Sequence, residues 1–359
     1  MTLADRLLLA TRKGLFVCPP DGAGWTIPRP AFLGEPVSAL LHDPRDGMLY
    51  AALRLGHFGV KLHRSADGGG TWQEVGVPAL PKEGENPKAL DMIWTLVPGA
   101  ADEPGMLWAG TLPAALFRST DRGETWDLVR GLWDVPERAR WVGGGYDDAG
   151  LHSIVIDPRD KRRMAIAIST GGVWTSADGG GRWTLGGKGL RAEYLPPDQA
   201  FDQVMQDVHL LQACAAAPDT LWAQHHNGIF RSTDFGATFS EVTAPAPSRF
   251  GFAVAAHPAD PATAWFAPAV KDECRVAVNG RMVVTRTRDG GASLESLGEG
   301  LPASGCYDLV YRHALVADRA GERLVMGSTT GNLWLGEQGG ARWRLLSGHL
   351  PPIAALALA

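Results

Sequence analysis

One pattern, repeated at an even interval, limits what this chain can fold into more than any bulk property does. Five octamers match one another: SADGGGTW (Ser65 to Trp72), STDRGETW (Ser119 to Trp126), SADGGGRW (Ser176 to Trp183), STDFGATF (Ser232 to Phe239) and TRDGGASL (Thr287 to Leu294). Their aspartates, Asp67, Asp121, Asp178, Asp234 and Asp289, stand 54, 57, 56 and 55 residues apart. Two worn copies extend the series: LGEQGGARW, with Gln338 at the aspartate position, and VCPPDGAGW, with Pro20 there. The count is then seven. Units of such a period stack on their neighbours around one continuous core, so 359 residues read as one repeat domain, 1–359.

The octamer has the chemistry of a hairpin turn. Asp accepts the amides of its own turn, Gly supplies positive φ, and Trp72, Trp126, Trp183 or Phe239 enters the following strand to pack. These residues are therefore assigned a structural role. Around each octamer lie short alternating strands punctuated by Gly and Pro, with turns such as DPRD at Asp157 to Asp160. Four strands per repeat predict an all-β, seven-bladed β-propeller of four-stranded antiparallel blades. The blades fall at about 36–76, 91–130, 150–187, 207–243, 250–298 and 305–347. The N-terminal segment, 5–30, supplies a second, third and fourth strand, and the C-terminal segment, 349–359, a first strand, so the two ends share one hybrid blade. Such closure removes exposed sheet edges.

Composition excludes several classes of partner. The net charge is -5 and the Lys and Arg residues are scattered, so no nucleic-acid partner is expected. The apolar run Leu7 to Ala10 is too short for a signal sequence or a membrane span, which gives a cytoplasmic expectation with no membrane partner. Cys18, Cys214, Cys274 and Cys306 show no CxxC spacing and read as free thiols.

The octamer is similar to the Asp-box, or BNR repeat, of sialidases, xyloglucanases, the sortilin group and photosystem assembly factors. The segments TRKGLF, WVGGGYDDAGLHSI, QHHNGIFRS, FGFAVAAHP and LPPI further resemble a bacterial cytoplasmic family, labelled BNR-repeat glycosyl hydrolases or exo-alpha-sialidase-like proteins, among the WD40/YVTN/BNR-like propellers. In these proteins the boxes lie on the outer rim, away from the active face. Sialidase activity is not expected. Those enzymes have six blades and an RIP-type motif, whereas this chain counts seven repeats and its nearest approach, IPRP at 27 to 30, falls in the wrong strand.

A propeller binds ligands in the funnel formed by its second-to-third-strand loops and the starts of its first strands. First-strand starts offer Trp94, His152, His209 and Tyr307, and the loops offer Arg12, Lys13, Arg54, His57, His225 and His226. The long loop Trp133 to Gly150 adds Trp141, Asp147 and Asp148. A metal site of His152, His209, His225 and His226 would hold a divalent ion as cofactor. His152, His209 and Asp148 are the candidates for catalysis, with Asp207 a further carboxylate for glycoside chemistry. Arg12, Lys13, Arg54, His57, Trp94, Trp141, His225, His226 and Tyr307 are the candidate ligand contacts, and their character points to a small polar or anionic, sugar-like ligand. The reading is a hydrolase- or lyase-type enzyme. Its alternative is a non-catalytic binding or assembly scaffold.

Overall fold

Each octamer closes the hairpin between the third and fourth strands of a sheet. At Asp121, Oδ1 accepts the Ser119 hydroxyl at 2.7 Å and the Thr125 amide at 2.9 Å, while Oδ2 accepts the Thr125 hydroxyl at 2.5 Å. Asp67, Asp234 and Asp289 make the same three bonds, with Thr71, Thr238 and Ser293 as the far partners. Asp178 makes two, because Arg182 has no hydroxyl. Two successive left-handed residues follow the aspartate: Arg122 at φ 61° and Gly123 at φ 87° in one turn, Phe235 at 63° and Gly236 at 90° in another. Such a pair matches the right-handed twist of the flanking strands. Trp126 then donates its indole N–H to the Gly76 carbonyl at 3.0 Å, tying its turn to the end of the preceding blade.

A computed structural model describes residues 5–82 and 87–359, and part of the loop Leu80 to Asp91 lies outside these. The fold is a seven-bladed β-propeller. Its described residues form six four-stranded antiparallel sheets, whose first strands are Val37–His42, Met92–Pro98, Gly150–Asp157, Val208–Cys214, Gly251–Ala256 and Leu315–Ala317. The seventh sheet joins the two ends of the chain, with Gly14–Cys18, Leu7–Thr11 and Ile353–Leu358 side by side. Arg6 and Ala359 exchange both main-chain hydrogen bonds, at 2.8 and 2.9 Å. The N-terminal segment gives this sheet two strands rather than three, because Pro20–Asp21 and Gly24–Trp25 pair only with each other.

The chain divides into two compact units, one of Met1–Gly171, Ser176–Thr184 and Ala357–Ala359, the other of Gly172–Thr175 and Leu185–Leu356. In the first, Ala39, Tyr50 and Leu62 of one blade pack against Ile93, Ala109 and Phe117 of the next. In the second, Leu210, Trp222 and Ile229 pack against Val254, Ala264 and Phe266. Central strands such as Leu107–Leu112 are buried throughout, as they must be when both faces of a blade meet neighbours.

First strands share a further feature. In five blades the ladder between first and second strands slips near its start, leaving one residue extra: Ser38, Trp94, His152, His209, and one of Phe252 and Ala253. A β-bulge of this kind re-aims a side chain. Two such side chains reach the next first strand. The Ser38 hydroxyl donates to the Ile93 carbonyl at 2.8 Å and His209 Nδ1 to the Gly251 carbonyl at 2.6 Å. The last complete blade departs from the sequence expectation. Its first strand begins at Leu315 and not near Tyr307. Upstream, Asp308 collects the Cys306 thiol, the Ser328 and Thr330 hydroxyls and the Asn332 amide, which holds 306–312 in irregular backbone.

Candidate functional site

In the second unit, Asp207 stands immediately before the strand Val208–Cys214, His209 is that strand's bulge residue, and His226 turns the hairpin after Ala217–His225. The His226 amide donates to the Asp207 carbonyl at 2.9 Å, so the hairpin tip is fastened to the strand entry. The side chains then meet on one oxygen. Asp207 Oδ2 is 3.5 Å from His209 Nε2 and 3.3 Å from His226 Nδ1. One donor atom from each of the three lies within 4.8 Å of the others. Asp207 and His209 are buried, while the His226 side chain is 21% exposed.

The tautomer of His209 follows from its partner. A carbonyl only accepts, so at 2.6 Å from Gly251 the proton sits on Nδ1. The other ring nitrogen, Nε2, then faces Asp207. Burial alone would raise the Asp207 carboxyl. The charge and hydrogen bonding of His209, with His226 and Arg312, outweigh it and hold Asp207 well below the usual carboxylate range. Burial pushes His209 below the ordinary imidazole value, against the pull of Asp207. A buried carboxylate of this kind is stable only with positive charge close by.

Aromatic rings wall the cluster. Phe252 stacks on His209 with centroids 4.4 Å apart and planes inclined by 16°, and Phe250 meets both His209 and His226 edge-on at 5.7 Å. Tyr194 lies edge-on to His226 at 5.1 Å, its hydroxyl donating to the Met205 carbonyl at 2.6 Å. Its loop is anchored where the Glu193 amide donates to Asn227 Oδ1 at 2.7 Å. Burial, and then the Asp207 charge, push the Tyr194 phenol up. Arg312 and Arg275 place their guanidinium carbons 5.2 and 5.3 Å from the Phe252 ring centre.

His225 takes no part in this group. Its Nδ1 accepts the Asn227 amide at 3.1 Å, its ring meets the edge of Phe230, and burial pushes it down to about 3. Its Nε2 is buried without a hydrogen-bond partner. His225 closes the strand and His226 opens the turn, and it is the His226 ring that meets Asp207.

In the first unit the bulge residue of Gly150–Asp157 is His152, buried, with Nδ1 2.9 Å from the Ser153 hydroxyl. Trp94 packs edge-on against it at 5.4 Å, and Tyr146 edge-on against Trp94 at 5.3 Å. Arg54 bonds Asp91 through two nitrogens, at 3.2 and 2.6 Å, and lies 5.2 Å over the Tyr146 ring. Lys88 holds Asp148. Arg12 and Lys13 are exposed in the turn after Leu7–Thr11, and His57 is exposed against Phe58. Trp141 is half-buried beside Gly171. Tyr307, in the second unit, is 73% exposed.

The sequence reading singled out the histidines but ranked Asp207 with other loop acids. A signal was present: Asp-Val-His places Asp207 and His209 two residues apart, on one side of an extended chain. Tyr194 and the Phe250–Phe252 pair carried no such mark.

No protein-family model matches the chain. A stretch of 191 residues, 48% of the chain, is 26% identical to a xyloglucanase of Paenibacillus sp., of which it covers 16%. Among solved structures, the GH74 enzyme of Niastella koreensis superposes with a TM-score of 0.62 at 16% identity, over 95% of this chain and 52% of that one. An ancestral GH74 enzyme gives 0.61 at 16% identity, over 90% of this chain and 38% of that one. YCF48 from Cyanidioschyzon merolae gives 0.54 at 14% identity, over 94% and 95%. The chain thus spans about half or less of the length of the glycosidases it resembles. At these identities the structures speak to fold alone: the chain shares the propeller fold of GH74 glycosidases and of YCF48.

Proposed function

We propose that this chain is an Asp-box propeller that binds a small polar or anionic ligand at the Asp207–His209–His226 cluster and hydrolyses it. The observation that carries the reading is an ionised, buried carboxylate shared by two imidazoles, one of them open to solvent. Groups tuned away from their ordinary values inside an apolar wall are what acid–base and nucleophile-activating chemistry requires. Tyr194, exposed beside His226, supplies a flat apolar face of the kind that receives a sugar ring, and the partial identity with a xyloglucanase favours a carbohydrate-like ligand. Arg275 and Arg312 favour one bearing negative charge. In this reading the octamer aspartates serve the fold alone, and a cytoplasmic setting agrees with four free cysteines.

The test is a screen of chromogenic glycosides, neutral and uronic-acid based, with wild type and His226→Ala. His226 sits at a hairpin tip, so its loss leaves the fold standing. Turnover of at least one acidic glycoside, reduced about 100-fold or more in the variant, supports the reading. Turnover indifferent to His226 removes the site.

A further inference from the structure

We propose that Asp207 Oδ2, His209 Nε2 and His226 Nδ1 bind a single divalent transition-metal ion of the zinc class, with its remaining position open to the ligand. This deepens the preceding reading, since it concerns the same cluster, but it stands or falls on a separate measurement.

Three observations support the ion. The first is distance. Charge-assisted N–H···O bonds run about 2.7–2.9 Å, and both imidazole–carboxylate separations, 3.5 and 3.3 Å, are longer. They match the edges of a tetrahedron, which are about 3.3–3.4 Å for metal–ligand bonds of about 2.0–2.1 Å. An octahedral site with bonds of the same length has edges of about 2.9 Å. The second observation is the tautomer. With its Nδ1 proton committed to the Gly251 carbonyl, His209 offers Nε2 as its one ligating nitrogen, on the side of the Asp207 carboxylate. Ligating histidines characteristically donate their second nitrogen to a carbonyl or carboxylate, as His209 does.

The third observation is access. Two imidazoles and one carboxylate leave a zinc ion a free coordination position, the arrangement of catalytic rather than structural sites. His226, the one half-exposed member, marks the side from which water or ligand would arrive. His209 is pinned by Gly251 and Phe252, and the backbone of His226 is fastened through its amide to Asp207, so one donor is fixed and the base of a second is placed before any ion enters. The third donor-to-donor separation also lies within 4.8 Å.

The full chain, stripped with chelator, is titrated calorimetrically with Zn²⁺ alone, and metal content is measured after dialysis. About one equivalent per chain is expected. Asp207→Asn and His226→Gln are each expected to weaken uptake about 100-fold or more, while His349→Ala, at an exposed histidine, leaves it unchanged. Melting curves show whether each variant is folded, and His226→Gln keeps the test open if the buried Asp207 substitution unfolds the chain. Cobalt taken up in place of zinc should show the intense visible absorption of a tetrahedral site. No stoichiometric uptake, or uptake retained in both folded variants, overturns the ion. Hydrolysis that persists in metal-free protein also overturns it, and leaves the ligand site standing.

Discussion

His152 and His209 hold the same place in successive repeats, each the bulge residue of a first strand, each buried, each against an aromatic ring of an adjoining first strand. Their surroundings nevertheless differ in kind. Two residues before His209 stands Asp207; two before His152 stands Gly150. At Gly150 an added Cβ would lie 2.3 Å from the Trp94 ring, so Trp94 occupies the space that a carboxylate would need. His152 is accordingly a ring packed against Trp94 and Ser153, and His209 is a ring set against a buried carboxylate. The lesson is that position in the repeat aims a side chain, but the neighbour two residues away decides whether it has chemistry to do.

The largest expected effect comes from removing that neighbour. Asp207→Ala leaves the cluster without its buried charge and should cost about 3–5 kcal/mol, read by urea denaturation. A loss under about 1 kcal/mol would mean that the two histidine regions are energetically alike. Next, Gly150→Ala forces Trp94 aside and should cost about 1–3 kcal/mol, without touching Zn²⁺ uptake in the other unit. If it is neutral, Trp94 does not close the His152 region. Asp121→Ala removes a half-exposed turn acceptor and should cost about 1 kcal/mol with ligand binding unchanged.

The octamers also have a pH signature. Burial opposes ionisation of Asp121, and bonds from Thr125 and Ser119 overcome it and hold its carboxyl at about 2; bonds from Ser293 and Thr287 do the same at Asp289. Folded-state values below the unfolded value of about 3.9 mean that this stability is present above about pH 4 and is lost as pH falls toward 2. An acid melt of Asp121→Asn should be shallower through that window, and an identical slope would contradict the bond assignment. The smallest effect is reserved for Asp148→Asn. It breaks a surface pair with Lys88 and should change stability by less than about 0.5 kcal/mol and leave turnover intact. A selective fall in turnover would instead place catalysis in the first unit.

The architecture was legible because it is written in local rules that repeat. Asp, Gly and Trp at fixed offsets specify a turn whatever lies beyond it, and the aspartate period set the number of blades. What failed to show was local exception. The separate hairpin at Pro20–Trp25 and the irregular backbone around Asp308 depend on side-chain bonds that no period announces. At the site, His209 and His226 stood out by type, but choosing between His225 and His226 required the register of the hairpin, and promoting Asp207 required knowing that its side chain faces both rings.

The bulge has a consequence for how such a molecule could change over time. Because the extra residue sits outside the pairing ladder, Ser38, Trp94 and His152 share one address while every flanking partner keeps its register. A single codon replaced there swaps a hydroxyl for an indole or an imidazole with no strand re-threaded. The repeat thereby separates what must be copied faithfully from what is free to diverge, and new activities can be sampled one blade at a time on a frame that does not have to be reinvented.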